Sequence, residues 1–333
     1  MMSLAEAAAA MQGRQAGADV AFSGVSTDSR SVARGELFVA IRGERFDGHD
    51  FIDTAKARGA AAALVDTKFS GKPSLPVAVV DDTRRGLGRL GAHWRARFSP
   101  AVIGIAGANG KTTTKEMIAS ILRAHAGAEA VLATRGNLNT DIGVPMTLLG
   151  MQAGHRYCAI ELGMNHAGEI AWLAGLARPT VALVTNAQRE HMEFMKSIEA
   201  SAEENANVYR ALPPDSVAVV NADDPCHSIF RHAAGSRPVV EFSLAKCTYS
   251  LKPLESEITV GEVKATLAIP GLHNIRNALA AAASAHAAGI PAAAIGKGLA
   301  DFRPYPGRLQ VKRTTAGATL IEDRKSTRLN SSH

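Results

Sequence analysis

Cysteine is scarce: Cys158, Cys226 and Cys247 are the only three, and no pair stands at C-x-x-C spacing. That argues against a disulfide framework and makes a reducing compartment the default. Long hydrophobic runs are missing too. No stretch reaches the roughly 18 apolar residues that a membrane-spanning helix needs, so no membrane partner is expected. The opening residues, MMSLAEAAAAMQGRQAGADV, have no basic segment followed by an apolar run, so they are not expected to act as a secretory signal. Charge of one sign never accumulates. Lys and Arg number 37 against 31 Asp and Glu, an excess of six, with no basic cluster of the kind that nucleic-acid binding places on one face. The expectation is a cytoplasmic protein without a nucleic-acid partner. The mild basic excess suits an ordinary solvated surface, and near a site it would also suit an anionic substrate.

What is there is a globular chain. Its 333 residues are 46% hydrophobic, room for two domains and at most a third. LFVAI (37–41), AAALV (61–65) and VAVV (77–80) read as strands, and DFIDTAKARG (50–59) as a helix ending at Gly59. The Ala-rich stretches 5–10 and 278–288 read as helices, since Ala has the best helix propensity. Residues 82–98 predict a connecting helix, because Leu87, Leu90, Trp94 and Phe98 form one apolar stripe before Ser99-Pro100 ends it. Beyond Pro100 the pattern becomes strand, loop, helix, repeated. AVIGIA (101–106), YCAIEL (157–162), TVALVTN (180–186) and SVAVVN (216–221) are near-continuous apolar runs, which predict a parallel sheet covered on both faces. Residues 236–270 alternate and read as antiparallel strands, and a helix is expected from Asn274 to about His286.

The segment GIAGANGKTTTK (104–115) carries the strongest chemical signal. A buried strand runs into a Gly-rich turn that opens a helix, and the amides of such a turn make a site for phosphate oxygens. Lys111 can reach the β- and γ-phosphates of a nucleotide, and the Thr112 hydroxyl can bind Mg²⁺. The general G-x-x-x-x-G-K-[ST] pattern fits imperfectly, because its first glycine falls on Ile105.

With the loop read as G-x-N-G-K-T/S-T through Gly107, Asn109, Gly110, Lys111, Thr112 and Thr113, the chain resembles the Mur ligases. Four more segments strengthen the likeness over residues 20–323: STDSR (26–30) with FVAIRGERFDGHDF (38–51), GNLNTDIGVP (136–145), ELGMNHAGEI (161–170) and PGLHNIRNALAA (270–281). Within the family they point to the branch that joins D-alanyl-D-alanine to a UDP-N-acetylmuramoyl-tripeptide, with ATP and Mg²⁺ as cofactors and a monomer expected. The fold implied is α/β. A small N-terminal domain for the UDP substrate (1–82) precedes an ATPase domain with a mostly parallel sheet (83–323). A C-terminal Rossmann-like domain is expected to be missing, and RKSTRLNSSH (324–333) is expected to be a non-native tail.

The resemblance also assigns residues. Glu161, at a strand end, and His191 match metal ligands, together with Thr112. Asn274 and Asn277, three apart and so on one helix face, match residues near the nucleotide; Asn274 reads equally as a helix cap. Arg308 matches a phosphate-contacting arginine, and Asp323 an aspartate near the hinge to the last domain. Ser29, Arg30, Gly43, Asp47, Gly48 and His49 look like UDP-binding elements, in which Arg30 could pair bidentately with the diphosphate. Asn137, Asn139 and Thr140 are expected to line the cleft between the first two domains. One position departs from the family. A lysine that many Mur ligases carbamylate to hold a second Mg²⁺ corresponds here to Asn205, which leaves Glu203, Glu204 or the amide itself to take its place.

The reaction implied is an acid–amino-acid ligation. ATP phosphorylates the terminal carboxylate, the dipeptide amine attacks, and phosphate leaves, so that positioning and charge neutralisation carry the first step. Without a last domain to hold the acceptor, residues 1–323 are expected to bind ATP or the UDP substrate weakly and not to ligate. The alternatives are another Mur ligase, a folylpolyglutamate synthase-like enzyme, or a nucleotide-binding fragment without catalysis.

Overall fold

A computed structural model of the chain describes residues 1–188, 197–304, 310–313 and 319–322, the last two stretches in backbone. Two compact units emerge. The first is Met1–Ser99 together with Leu138–Gln152, and the second is Pro100–Asn137 together with the chain from Ala153 onward.

The first unit holds a five-stranded sheet in the order Arg14–Ala16, Val77–Val80, Ala62–Asp66, Leu37–Val39, Val25–Ser26. All its ladders are parallel except the one that pairs Arg14–Ala16 with Val77–Val80. Successive side chains of a strand point to opposite faces, and the unit has two cores accordingly. Leu37, Val39, Leu64, Ala78 and Val80 join one core. Phe38, Ala63, Val65, Val77 and Val79 join the other. The stretch read as a connector forms the helix Thr83–Arg95, and it belongs to this unit rather than to the next domain. Its stripe explains why: Leu87 and Leu90 are buried in the first core beside Leu4, Met11 and Leu64. The helix Gly143–Leu149 packs on it where Gly91 lies against Pro145, with a hypothetical β-carbon 3.0 Å from the Pro145 Cα.

The second unit is built on six strands in the order Val239–Phe242, Val217–Asn221, Val181–Val184, Ala101–Ala106, Tyr157–Glu161, Val131–Ala133. Every ladder is parallel. The chain leaves the central strand Ala101–Ala106 to one side first and then returns to build the other. That reversal leaves a crevice at the carboxyl ends of the strands, where open α/β sheets bind ligands. Val239–Phe242 lies in the stretch read as antiparallel but is the sixth parallel strand of this sheet. Only Thr248–Leu251, Ser256–Val260 and Val263–Leu267 form the antiparallel sheet. The difference is that VVEF stands on an edge, where burial on both faces is incomplete and the apolar run is short.

The helix Leu272–Ala287 lies on the strands from Val181 to Phe242 through its small alanines. Ala292–Asp301 packs on the helix Lys111–Ala126, where Gly298 meets the backbone of Ile121. The strand read at ATLIED is Thr319–Glu322, and it pairs antiparallel with Gln310–Arg313. No helix among the described residues is long and apolar enough to cross a membrane.

Candidate active site

The strand Ala101–Ala106 ends in the turn Gly107–Gly110, and the helix Lys111–Ala126 starts at once. Both glycines are required. Gly107 has φ +121°, and a β-carbon there would lie 2.8 Å from the Thr185 nitrogen. Gly110 has φ +80°, and a β-carbon there would overlap the Asn277 carboxamide. The Lys111 ammonium folds back on the loop, donating to the carbonyls of Gly107 and, at 3.1 Å, Ala108.

The turn is held from the neighbouring strand. Ala108 N–H donates to the Asn186 carbonyl at 3.0 Å, and Asn109 N–H to the Asn186 Oδ1 at 3.0 Å. The Thr185 hydroxyl donates to the Asn109 carbonyl at 2.7 Å, and the Asn109 side chain donates to Gln188 at 2.6 Å. Beneath this segment Tyr209 is wholly buried. Its hydroxyl accepts the Val184 N–H at 2.9 Å and donates to the Val219 carbonyl at 2.6 Å. Burial pushes the Tyr209 phenol far above its ordinary value. Nothing in the sequence alone singled out Thr185, Asn186 or Tyr209. The available signal was their place, directly after a strand end or on the helix behind it.

Glu161 ends the strand beside the loop strand, pairing in register with Ile105, and is buried. The Thr112 hydroxyl donates to its Oε1 at 3.1 Å. Its main-chain N–H donates to the Thr134 hydroxyl at 3.0 Å, and the buried Lys115 ammonium donates to the Thr134 carbonyl at 2.7 Å. A hydroxyl and a carboxylate side by side at a helix start form a hard oxygen donor set, which suits Mg²⁺. Thr113, the residue after Thr112, is buried in the first turn of the helix.

Next to the loop opens a cavity of about 680 Å³, lined by Asn109, Gly110, Asn186, Asp224, Arg276 and Asn277 among others. Asn277 lines it, whereas Asn274 stands behind. Asn274 Nδ2 donates to the Pro270 carbonyl at 2.7 Å, and its Oδ1 receives Asn277 Nδ2 at 3.2 Å. Gly271, not Asn274, caps the helix. Asp224 fixes the cavity wall by accepting the Ala187 N–H at 2.8 Å.

The first unit has its own cavity of about 940 Å³, lined by Ser29, Arg30, Gly43, Arg45, Phe46 and Gly48 among others. Arg30 meets Asp28 bidentately, at 2.9 Å through Nε and 2.8 Å through the terminal nitrogen, and this holds the Asp28 carboxyl down at about 2. Gly48 is required by close approach, since a β-carbon would stand 2.6 Å from the Ile41 nitrogen. Of Asp47 and His49, both expected to touch substrate, His49 is turned into the fold and Asp47 is half-buried. His49 is buried, its Nδ1 is 2.6 Å from the Asp47 Oδ1, and its Nε2 accepts the Asp66 N–H at 3.1 Å. Asp47 also pairs with Arg42. Both ring nitrogens of His49 are used, so the residue braces the 43–48 loop.

Comparison with known proteins reflects this arrangement. Residues 105–285 match the Mur ligase middle domain, and residues 21–95 match the Mur ligase family catalytic domain. The chain belongs to the Mur ligase family. It is 40% identical over 324 residues to the UDP-N-acetylmuramoyl-tripeptide–D-alanyl-D-alanine ligase of Escherichia coli (strain K12), covering 94% of this chain and 71% of that one. A crystal structure of MurF from Acinetobacter baumannii superimposes with a TM-score of 0.88 at 33% identity, covering 97% of this chain and 73% of that one. The MurF ligase from Thermotoga maritima, solved in complex with ADP, gives a TM-score of 0.74 at 26% identity, covering 90% of this chain and 70% of that one.

Within this Mur ligase the remaining expected positions divide. Asn137 is exposed at the end of the segment 100–137 of the second unit. Asn139 and Thr140 open the segment that packs with the first unit, and the Thr140 carbonyl accepts the Val144 N–H at 2.9 Å. His191, Arg308, Asp323 and the segment 324–333 lie outside the described residues. Glu203 and Glu204, considered as replacements for the carbamylated lysine, are engaged elsewhere. Glu203 pairs with Arg210 at 2.5 Å, and Glu204 accepts the Ile170 N–H at 2.9 Å and Asn207 Nδ2 at 3.0 Å.

Proposed function

We propose that this protein is a cytoplasmic ATP-dependent ligase that joins D-alanyl-D-alanine to a UDP-N-acetylmuramoyl-tripeptide. The observation that carries the reading is the juxtaposition of the phosphate loop with Glu161, through Thr112, beside a cavity of nucleotide size. The 40% identity to a ligase of that name supplies the substrate class.

The turn amides and the helix start at Lys111 receive the phosphates of ATP. Lys111 exchanges the carbonyls of Gly107 and Ala108 for phosphate oxygens, and each such contact is stronger for being charge-assisted. Thr112 and Glu161 would hold Mg²⁺, which when bound neutralises charge on the phosphates. The base lies in the cavity against Asn277 and Arg276, where the Asn277 amide can read a donor–acceptor edge. The UDP portion occupies the first-unit cavity, where Arg30 is released from Asp28 to pair with the diphosphate.

The chemistry then needs positioning above all. A carboxylate oxygen of the tripeptide takes the γ-phosphoryl group and ADP departs. The dipeptide nitrogen attacks the acyl carbon, the amide bond forms, the nitrogen loses its proton, and phosphate leaves. Activation matters because a carboxylate anion is a poor acyl donor. The test is ADP release with ATP, UDP-N-acetylmuramoyl-tripeptide and D-alanyl-D-alanine, leaving out one at a time. Release that requires all three supports the reading, and steady release without the dipeptide overturns it.

A further inference from the structure

A neutral side chain occupies the place where the family resemblance implies a carbamylated lysine and a second metal ion. Asn205 is the last residue of the helix Ile198–Asn205 and is 1% exposed. Its Oδ1 accepts the main-chain N–H of Gly107 at 2.7 Å, and its Nδ2 donates to the Ser201 carbonyl at 2.9 Å. Gly107 is the first residue of the phosphate turn. The carboxamide therefore has its oxygen engaged by the loop and its nitrogen engaged by its own helix.

Among the described residues, the side chains here do not fit a second metal ion. An amide oxygen is a weaker ligand than a carboxylate or carbamate, and this one is already an acceptor in a buried hydrogen bond. The two carboxylates on the same helix end are committed, Glu203 to Arg210 and Glu204 to the N–H of Ile170 and the amide of Asn207. Freeing Asn205 or Glu204 would leave a buried N–H without a partner, that of Gly107 or of Ile170, whereas Glu203 is held in an ion pair at the surface.

We infer that Asn205 is a positioning residue that fixes the first amide of the phosphate turn, and that the site works with one metal ion and without carbon dioxide. The inference rests on the ligase reading for its nucleotide, though the Asn205–Gly107 bond does not. Fixing Gly107 matters because its φ of +121° sets the direction in which the following amides point. Asn makes this bond without chemical modification. A carbamate would carry a negative charge to the same spot and depend on dissolved carbon dioxide.

Two measurements on the parent and Asn205→Ala test it. Hydrogen exchange at the Gly107 amide is read first, without nucleotide. Slow exchange in the parent that speeds up at least tenfold in Asn205→Ala supports the inference; fast exchange in the parent overturns it, whether or not the variant folds. Manganese bound in the presence of a non-hydrolysable ATP analogue is then counted by electron paramagnetic resonance. One ion per chain in both proteins, with nucleotide affinity about tenfold weaker in Asn205→Ala, supports it. Two ions in the parent, or turnover of the parent that falls when bicarbonate and carbon dioxide are removed, overturns it. Slow Gly107 exchange with no nucleotide-dependent manganese at all keeps the positioning role and sinks the ligase reading instead.

Discussion

Gly110 and Asn277 touch. The glycine opens the helix Lys111–Ala126, the asparagine sits in the first turns of Leu272–Ala287, and no β-carbon fits between them. Two segments 167 positions apart in sequence thus meet at the lip of the cavity of about 680 Å³. The turn Gly107–Gly110 and the start of the helix Leu272–Ala287 are one surface because glycine lets them be.

Gly110→Ala is expected to disturb both. Ala at φ +80° costs on the order of 1–3 kcal/mol, and relieving the overlap displaces Asn277. Urea denaturation should register the lower stability, and calorimetric titration with ADP a loss of affinity of about tenfold or more. Unchanged ADP affinity would mean that Asn277 does not border the nucleotide.

Lys111→Ala removes the one ammonium that lies over the turn among the described residues. Hydrogen bonds to charged groups contribute about 1.5–3 kcal/mol, which corresponds to an ATP affinity roughly 10–100-fold weaker. Stability should change little, since the Lys111 ammonium is only half-buried over the turn. Equal ATP affinity in parent and variant would remove the basis of the proposed function.

Glu161→Gln keeps the shape beside Thr112 and deletes the charge. The expected result is a higher magnesium concentration for half-maximal turnover and at least a tenfold fall in rate at low magnesium. Nucleotide binding without magnesium should be nearly unchanged. If magnesium dependence stays as in the parent, the metal lies elsewhere.

Tyr209 predicts an alkaline limit to stability. Its folded-state phenol ionises well above the ordinary value, because burial penalises the anion. A group with a raised pKa stabilises the fold fully below its unfolded value, about 10 for tyrosine, and the contribution is lost as pH rises beyond it. Melting temperature should therefore fall from about pH 10 upward. Tyr209→Phe should be less stable by about 1–3 kcal/mol at neutral pH, because Val184 N–H and Val219 carbonyl lose their partner, yet its melting temperature should decline less steeply above pH 10.

A salt-sensitive acid limit is expected at the Asp81–Arg89 pair. Hydrogen bonding to Arg89 holds the Asp81 carboxyl at about 2, so its contribution is present above about pH 4 and is lost toward pH 2. Asp81 is largely exposed, so the effect should be small and should shrink further in 1 M salt. Comparing Asp81→Asn with the parent between pH 4 and pH 2 checks it.

Local pattern alone determined a good deal of this protein. The strands Val77–Val80 and Ala101–Ala106 were legible to the residue, because continuous apolar runs bounded by turns have few other uses. The turn Gly107–Gly110 was legible because an apolar run, clustered glycines and a helix start follow one another directly in sequence. Tertiary structure decided the rest, and in each case the reason is a contact between distant segments. The helix Thr83–Arg95 could have belonged to either domain until its apolar stripe met the core around Leu4 and Leu64. The parallel pairing of Val239–Phe242 depends on its neighbour Val217–Asn221, not on its own four residues. His49 read as a ligand and is a brace, because Asp47 and the Asp66 N–H occupy both its nitrogens. Asn205 read as a missing lysine, whose place Glu203, Glu204 or the amide itself was left to take. Folding places its oxygen on Gly107, nearly a hundred residues back along the chain, and that proximity gives the substitution its physical meaning.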